Sequence, residues 1–236
     1  MSFRVFATDF DGTLAHHGIA DQAGVAALAD LRRRGWFVLL VTGRELPSLF
    51  KTFDQTDLFH RIVAENGAVL YTPDTAKTRV LAPPPPPALV ARLQEESVPI
   101  QVGHSVIATV EPYEHNVLAA IRDLGLEWHV TFNKGAVMTL PPGITKATGL
   151  TAGLEELGMP AASTVGIGDA ENDHAFLQSC GLSAAVANAL PALKGMAHVV
   201  TAASHGAGVV ELVQRLVRGG FDEVPAIRPR ESSRQL

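Results

Sequence analysis

The first residues that could do chemistry are two acids two positions apart, Asp9 and Asp11, in Asp9-Phe10-Asp11-Gly12-Thr13-Leu14. An apolar run from Phe3 to Ala7, broken by Arg4, leads into them. Such a run, ended by Gly12, has the pattern of a strand buried in a parallel sheet. The acids then fall beyond the strand's carboxyl end, where open α/β sheets bind ligands. Two carboxylates placed there repel and need a cation or a shared proton. Taken alone, the stretch also fits an acidic turn that only caps a helix. Three further clusters weigh against that: Thr42 in Thr42-Gly43-Arg44, Lys146, and Asp169 with Asn172 and Asp173. Thr42 and Asp169 also follow apolar runs, and Lys146 opens a helical stretch. A parallel sheet gathers such strand ends around one crevice, although Asp9 and Asp169 are far apart in sequence.

The residue types narrow the chemistry. Carboxylates without clustered His or Cys suit a hard cation, Mg²⁺ rather than zinc. A lysine, a threonine hydroxyl and Mg²⁺ suit the equatorial oxygens of a phosphoryl group. A carboxylate at that metal can attack phosphorus and form an aspartyl-phosphate. A second acid two residues on can protonate the leaving oxygen and later deprotonate water.

These side chains need a scaffold, and the hydrophobic periodicity supplies one. Val25, Leu28 and Leu31 recur at helical spacing until Gly35. Residues 36–41 read as a strand, 46–53 as a short helix and 61–64 as a strand. Asn66-Gly67 turns the chain into another strand, 68–71. This alternation predicts a parallel sheet with helical crossovers. The proline run Pro83–Pro87 then acts as a stiff connector. Beyond it the order is helix (88–96), strands (100–102, 105–110), helix (114–124), strands (128–132, 136–140). That is helix-strand-strand twice, a small separate layer closed by Pro141-Pro142-Gly143. The first pattern resumes with a helix (145–157), a strand (164–167), a helix (171–178), strands (183–186, 198–201) and a helix (209–217). The expected fold is α/β: a Rossmann-like parallel sheet with helices on both faces, from residues 1–73 and 142–220. An α+β cap, residues 74–141, is inserted in it. Residues 221–236, without periodicity, read as a disordered tail or linker.

Composition excludes several classes. The chain has 236 residues, 47% of them hydrophobic, enough for a sizeable core. A net charge of −5 gives no case for nucleic acid or an anionic membrane as partner. No run approaches the ~20 apolar residues of a membrane span, and the start of the sequence shows no signal-peptide pattern. The single cysteine, Cys180, allows no internal disulfide and fits a reducing cytoplasm. Its apolar neighbours make it a small buried hydrophobe rather than a nucleophile. His16-His17 belong to the entrance or to a loop surface, and Arg32-Arg33-Arg34 to a solvated helix end. Nothing in the sequence sets an oligomeric state.

The motifs D-F-D-G-T (9–13), T-G-R (42–44), Lys146 and G-D-A-E-N-D (168–173), in that order, resemble those of the haloacid dehalogenase-like (HAD) phosphatases. The resemblance runs to about residue 218. The insert between the second and third motifs, and V-A-N-A-L-P-A-L-K (186–194), are similar to the Cof-type branch. The resemblance implies Asp9 as nucleophile and Asp11 as general acid/base. Thr42 and Lys146 would hold the phosphoryl group. Asp9, the main-chain oxygen of Asp11, and Asp169 would bind Mg²⁺, with Asn172 and Asp173 supporting the metal and Lys146. Gly43, Arg44, Asn66, Gly67 and Asn172 would contact substrate. Dehalogenases of the family lack the second aspartate and its ion-pumping ATPases replace it, so Asp11 implies phosphate-ester chemistry. The short insert resembles the caps of phosphoglycolate, mannosyl-phosphoglycerate and sucrose- or trehalose-phosphate phosphatases. The partner is then a small phosphorylated metabolite. A phosphomutase of the same branch is one alternative, and a receiver-like module that only accepts phosphate is another. The chain departs from the family at Met138, where an acid is common before the lysine, and at His174, where an aliphatic residue is usual.

Overall fold

The computed structural model describes residues 3–219 and Phe221. β1 (Val5–Thr8) is buried along its whole length, as an apolar run flanked by two neighbours must be. A small hairpin follows, β2 (Ala15–His16) with β3 (Ile19–Ala20), and then α1 (Gln22–Arg33). Asp21 caps α1, its carboxylate accepting from the Gly24 N–H at 2.9 Å. β4 (Phe37–Val41), α2 (Leu46–Thr52), β5 (Arg61–Ala64), β6 (Val69–Thr72) and β7 (Lys77–Val80) complete the first segment. The insert contains α3 (Pro87–Glu95), β8 (Gln101–Val102), β9 (Ile107–Val110), α4 (Glu114–Asp123), β10 (His129–Asn133) and β11 (Ala136–Leu140). The chain then returns through α5 (Lys146–Leu157), β12 (Thr164–Gly168), α6 (His174–Ser179), β13 (Leu182–Ala185), α7 (Pro191–Met196), β14 (Val199–Val200) and α8 (His205–Val217).

The large sheet has the order β14-β13-β12-β1-β4-β5-β6-β7, parallel from β14 to β5 and antiparallel at β6 and β7. The expected α/β class is the observed one. β1 lies between β12 and β4, with Thr8 opposite Ile167 and Leu40. The loops carrying Asp9, Thr42 and Asp169 therefore leave three adjacent parallel strands at the same end. The insert forms its own antiparallel sheet, β10-β11-β9-β8. Its helices pack on it through a separate apolar cluster that includes Leu89, Leu93, Ile107, Val117 and Ile121.

Three boundaries differ from the sequence reading. The cap does not open at residue 74, because β7 is the eighth member of the large sheet. β7 is exposed at every position, so no apolar pattern marks it. Phe221 does not belong to a tail: it is buried in the main core, with the Arg215 guanidinium 4.3 Å from its ring centroid. The rest of the expected tail, 222–236, lies outside the described residues. The helix placed at 171–178 opens instead with a separate 3-10 turn, Glu171–Asp173, before α6.

One close contact seats α5. A Cβ on Gly149 would lie 2.4 Å from the Gly67 Cα and 2.5 Å from the Val63 Cγ1. One on Gly67, at φ +106°, would lie 2.0 Å from the Thr145 carbonyl oxygen. Two residues without side chains thus let the first turn of α5 rest on the end of β5. Thr145 caps the helix in a box with Thr148, which leaves Lys146 as its first residue.

Candidate active site

Lys146 is buried, and its ammonium donates to Asp9 Oδ1 and to Asp173 Oδ1, both at 2.6 Å. Burial works against the charged ammonium. The charges of Asp173 and Asp9, and the hydrogen bonds to them, outweigh burial and hold Lys146 above its ordinary range. The other oxygen of Asp173 accepts from the Asp169 and Ala170 N–H groups at 2.8 and 3.0 Å. Asp173 is therefore a fixed strut for Lys146 and the Asp169 loop.

Asp9 is the unbalanced member. Its Oδ2 is buried with no hydrogen-bond partner among the described residues. Burial pushes its carboxyl well up; Lys146 opposes that rise and Asp173 and Asp169 add to it. Asp169 is also raised, by burial first, against the hydrogen bond from Lys134. Carboxylate oxygens of Asp9, Asp169 and Asp173 lie within 4.8 Å of one another. An orphaned carboxylate oxygen among crowded acids is a good fit for a hard divalent cation.

The Asp9 loop is shaped for that approach. Gly12 has φ +83°, and a Cβ there would lie 2.1 Å from Asp169 Oδ2. Thr13 donates its hydroxyl to Asp169 Oδ1 at 3.2 Å. Asp11 accepts two bonds from Arg44, Nε to Oδ2 at 2.6 Å and Nη2 to Oδ1 at 2.7 Å. The Arg44 guanidinium also sits 5.4 Å from the Phe10 ring centroid. Thr42, buried, accepts from the Arg44 N–H at 3.1 Å.

These groups form one wall of a cavity of about 600 Å³ between core and cap. Asp9, Asp11, Gly12, Gly43 and Arg44 line it from the core, and Val106, Ala108, Ala136 and Met138 from the cap sheet. Two cap hairpins hold the cap in place. Buried Glu65, at the end of β5, accepts from the His104 and Ser105 N–H groups at 3.0 and 2.9 Å. Both donors lie in the β8–β9 turn. At the other side Lys134, at the β10–β11 tip, reaches Asp169 with its ammonium. Its N–H donates to Glu171 Oε2 at 3.1 Å.

The structure brings Asp9, Lys146, Asp169 and Asp173 together as the sequence order implied, and places Asp11, Gly43 and Arg44 on the cavity wall. Arg44 is paired there with Asp11. Gly67 is absent from the cavity lining; it serves backbone packing against α5. Asn66 accepts from Asn172 Nδ2 at 2.8 Å and donates to the Met138 sulfur at 2.7 Å. The two asparagines thus bind each other and the cap, and neither lines this cavity. His16 and His17 do line it, with His205, which sequence reasoning missed. His16 stacks on His205 at 4.2 Å. Glu65 and Lys134 were also missed. Only Lys134 had a local signal, as the middle of Asn133-Lys134-Gly135 between two expected strands. Cys180 is buried, its thiol pushed up to about 12 by burial, and is inert as expected.

The sequence profile of the haloacid dehalogenase-like hydrolases matches residues 6–105 and 115–213. The chain belongs to this family. A phosphoglycolate phosphatase of Methanothermobacter thermautotrophicus is 31% identical over 91% of this chain and 99% of its own length. One from Natronomonas pharaonis is 29% identical over 89% of this chain and 96% of its own. Among solved structures, a Thermoplasma acidophilum protein superposes with a TM-score of 0.77 at 16% identity, over 92% of this chain and 99% of the other. A HAD subclass IIB sugar phosphatase gives 0.74 at 17% identity over the same shares. As a HAD-like hydrolase the chain is an enzyme, and among its described residues no helix is long and apolar enough to cross a membrane.

Proposed function

We propose that this HAD-like hydrolase is a Mg²⁺-dependent phosphomonoesterase acting on a small phosphorylated metabolite through an aspartyl-phosphate on Asp9. The observation that carries the reading is Asp9 itself. One oxygen is held by Lys146 at 2.6 Å, and the other is buried without a partner on the wall of a capped cavity. That second oxygen is the nucleophile. The phosphoglycolate phosphatases among the relatives support a short phosphorylated acid as substrate.

Asp9, the main-chain oxygen of Asp11, and Asp169 would hold the cation. Bound there, Mg²⁺ would supply positive charge beside the phosphoryl oxygens. Asp9 attacks phosphorus as the ester oxygen leaves, and Asp11 delivers a proton to that oxygen. Asp11 then takes a proton from water, and the water oxygen attacks phosphorus and releases phosphate and Asp9. Both proton steps require Asp11 to part from Arg44, which engages both of its oxygens. Lys146 and Thr42 orient the phosphoryl group. The cap excludes water from the intermediate, and its presence argues against a receiver-like acceptor. The buried cysteine fits a cytoplasmic setting.

The test is turnover of 2-phosphoglycolate and p-nitrophenyl phosphate with Mg²⁺, by wild type and Asp9→Asn. Wild type should turn over many times, and acid-quenched protein should carry phosphate on Asp9. The variant should lose turnover with an unchanged circular dichroism spectrum. Retained turnover in Asp9→Asn would reject the covalent route.

A further inference from the structure

Lys134 is the charged side chain that the cap places in the cavity. It stands with Gly135 at the tip of the β10–β11 hairpin, at φ +47° and +91°. Two successive left-handed positions favour Asn, Asp or Gly, and a lysine pays a steric cost in the first of them. The tip is nevertheless anchored, by the Lys134 N–H on Glu171 and by the ammonium on Asp169 and, at 3.5 Å, on the Asn188 carbonyl. The side chain stays 37% exposed.

Arg44 and His16, which could otherwise meet an anion, are engaged. Arg44 is held bidentately by Asp11. His16 is stacked on His205 and packed against the tilted ring of His17, and desolvation followed by the charges of those two histidines lowers its pKa. Glu45 faces Gln101 across the cavity, and its negative charge disfavours an anion there. Lys134 differs in timing: its carboxylate partner, Asp169, is one that the proposed cation needs from the outset, whereas Arg44 keeps Asp11 until the proton steps. With Asp169 turned to that cation, the ammonium is left in the cavity requiring an anion. The rest of the cap wall is mostly apolar, Val106, Ala108, Ala136 and Met138, with Gln101 and Asn133 its neutral polar residues, so Lys134 is the group there that can meet an anion by charge.

We propose that Lys134 binds a carboxylate on the alcohol side of the substrate, so that the enzyme selects short phosphomonoesters carrying a second anionic group. This rests on the phosphatase reading above and names the substrate class of the same site.

The test is equilibrium binding, measured by calorimetry with Mg²⁺, to protein carrying Asp9→Asn, which cannot turn over. The two probes are 2-phosphoglycolate and ethyl phosphate, which differ in the carboxylate. The Asp9→Asn protein should bind phosphoglycolate about tenfold or more tightly than ethyl phosphate, the scale of one charged hydrogen bond. Adding Lys134→Gln should bring that ratio close to one, and Lys134→Arg should keep most of it. A ratio unchanged by Lys134→Gln, or both affinities changed by the same factor, would overturn the assignment while leaving the phosphatase reading standing. Binding of neither ester to the Asp9→Asn protein, together with no competition by either against p-nitrophenyl phosphate turnover in wild type, would overturn both.

Discussion

Gly12→Ala separates backbone strain from site geometry. Gly12 sits at φ +83°, and an added Cβ would lie 2.1 Å from Asp169 Oδ2 and 2.7 Å from its Cγ. A non-glycine residue in that backbone region costs about 1–2 kcal/mol. At about 2–4 °C per kcal/mol for a chain of this size, Tm falls by roughly 2–8 °C. The clash is a separate effect. Real Cβ contacts stop near 3.0 Å, so the Asp169 carboxylate must retreat by roughly 1 Å, a misplacement that costs on the order of 100-fold in rate. Gly35 is the matched control: it has the same φ of +83°, with nothing within 4 Å of an added Cβ. Gly35→Ala should therefore lose similar stability and keep wild-type kcat/KM. The assay is kcat/KM on 2-phosphoglycolate with Tm by calorimetry, for both variants. Equal kcat/KM in the two would mean that Asp169 has no position-sensitive part in the reaction.

Asp11→Asn should cost less on p-nitrophenyl phosphate than on an alkyl phosphate, since a good leaving group needs little proton donation; equal losses would remove Asp11 from the acid role. Chelation with EDTA should silence turnover and Mg²⁺ restore it. Ca²⁺ should substitute poorly, because it takes longer bonds and more ligands than the ~2.0–2.1 Å octahedron of Mg²⁺; full activity after chelation would refute the metal assignment. Lys146→Met leaves Asp9 and Asp173 buried and unpaired, which should cost about 3–5 kcal/mol in denaturant unfolding as well as turnover; a variant as stable as wild type would show that the triad is not a structural charge pair. Glu65→Leu strands the His104 and Ser105 N–H groups and should lower stability by about 1–3 kcal/mol. It should also raise KM for 2-phosphoglycolate more than for p-nitrophenyl phosphate; equal effects on the two would mean that Glu65 does not position the cap.

Asp9, Thr42 and Asp169 were legible because each is a polar residue ending a buried apolar run, and in a parallel sheet every such end points the same way. Lys146 was legible as a lysine opening a helix, although what aims it at Asp9, the Gly67–Gly149 contact, leaves no mark in residue type or period. Other features were not legible. Arg44, Asn66 and Asn172 were expected to face substrate, and the partners they have in the structure depend on what lies across the crevice: Asp11 for Arg44, Met138 and each other for the asparagines. β7 escaped because an exposed edge strand needs no apolar alternation. Glu65, Lys134 and His205 all adopt positive φ without being glycine, which no hydrophobic pattern encodes. Glu65 and Lys134 are also two of the points where cap meets core, beside the Asn66–Met138 contact. A local period reports how a segment packs on its own sheet, and the cap packs on its own. Docking it over Asp9 depends on a few polar contacts at two hairpin turns, too sparse to produce a period. The groups proposed for phosphoryl chemistry are therefore written in strand ends, while those proposed to select a substrate are single residues whose meaning appears only once the two layers are brought together.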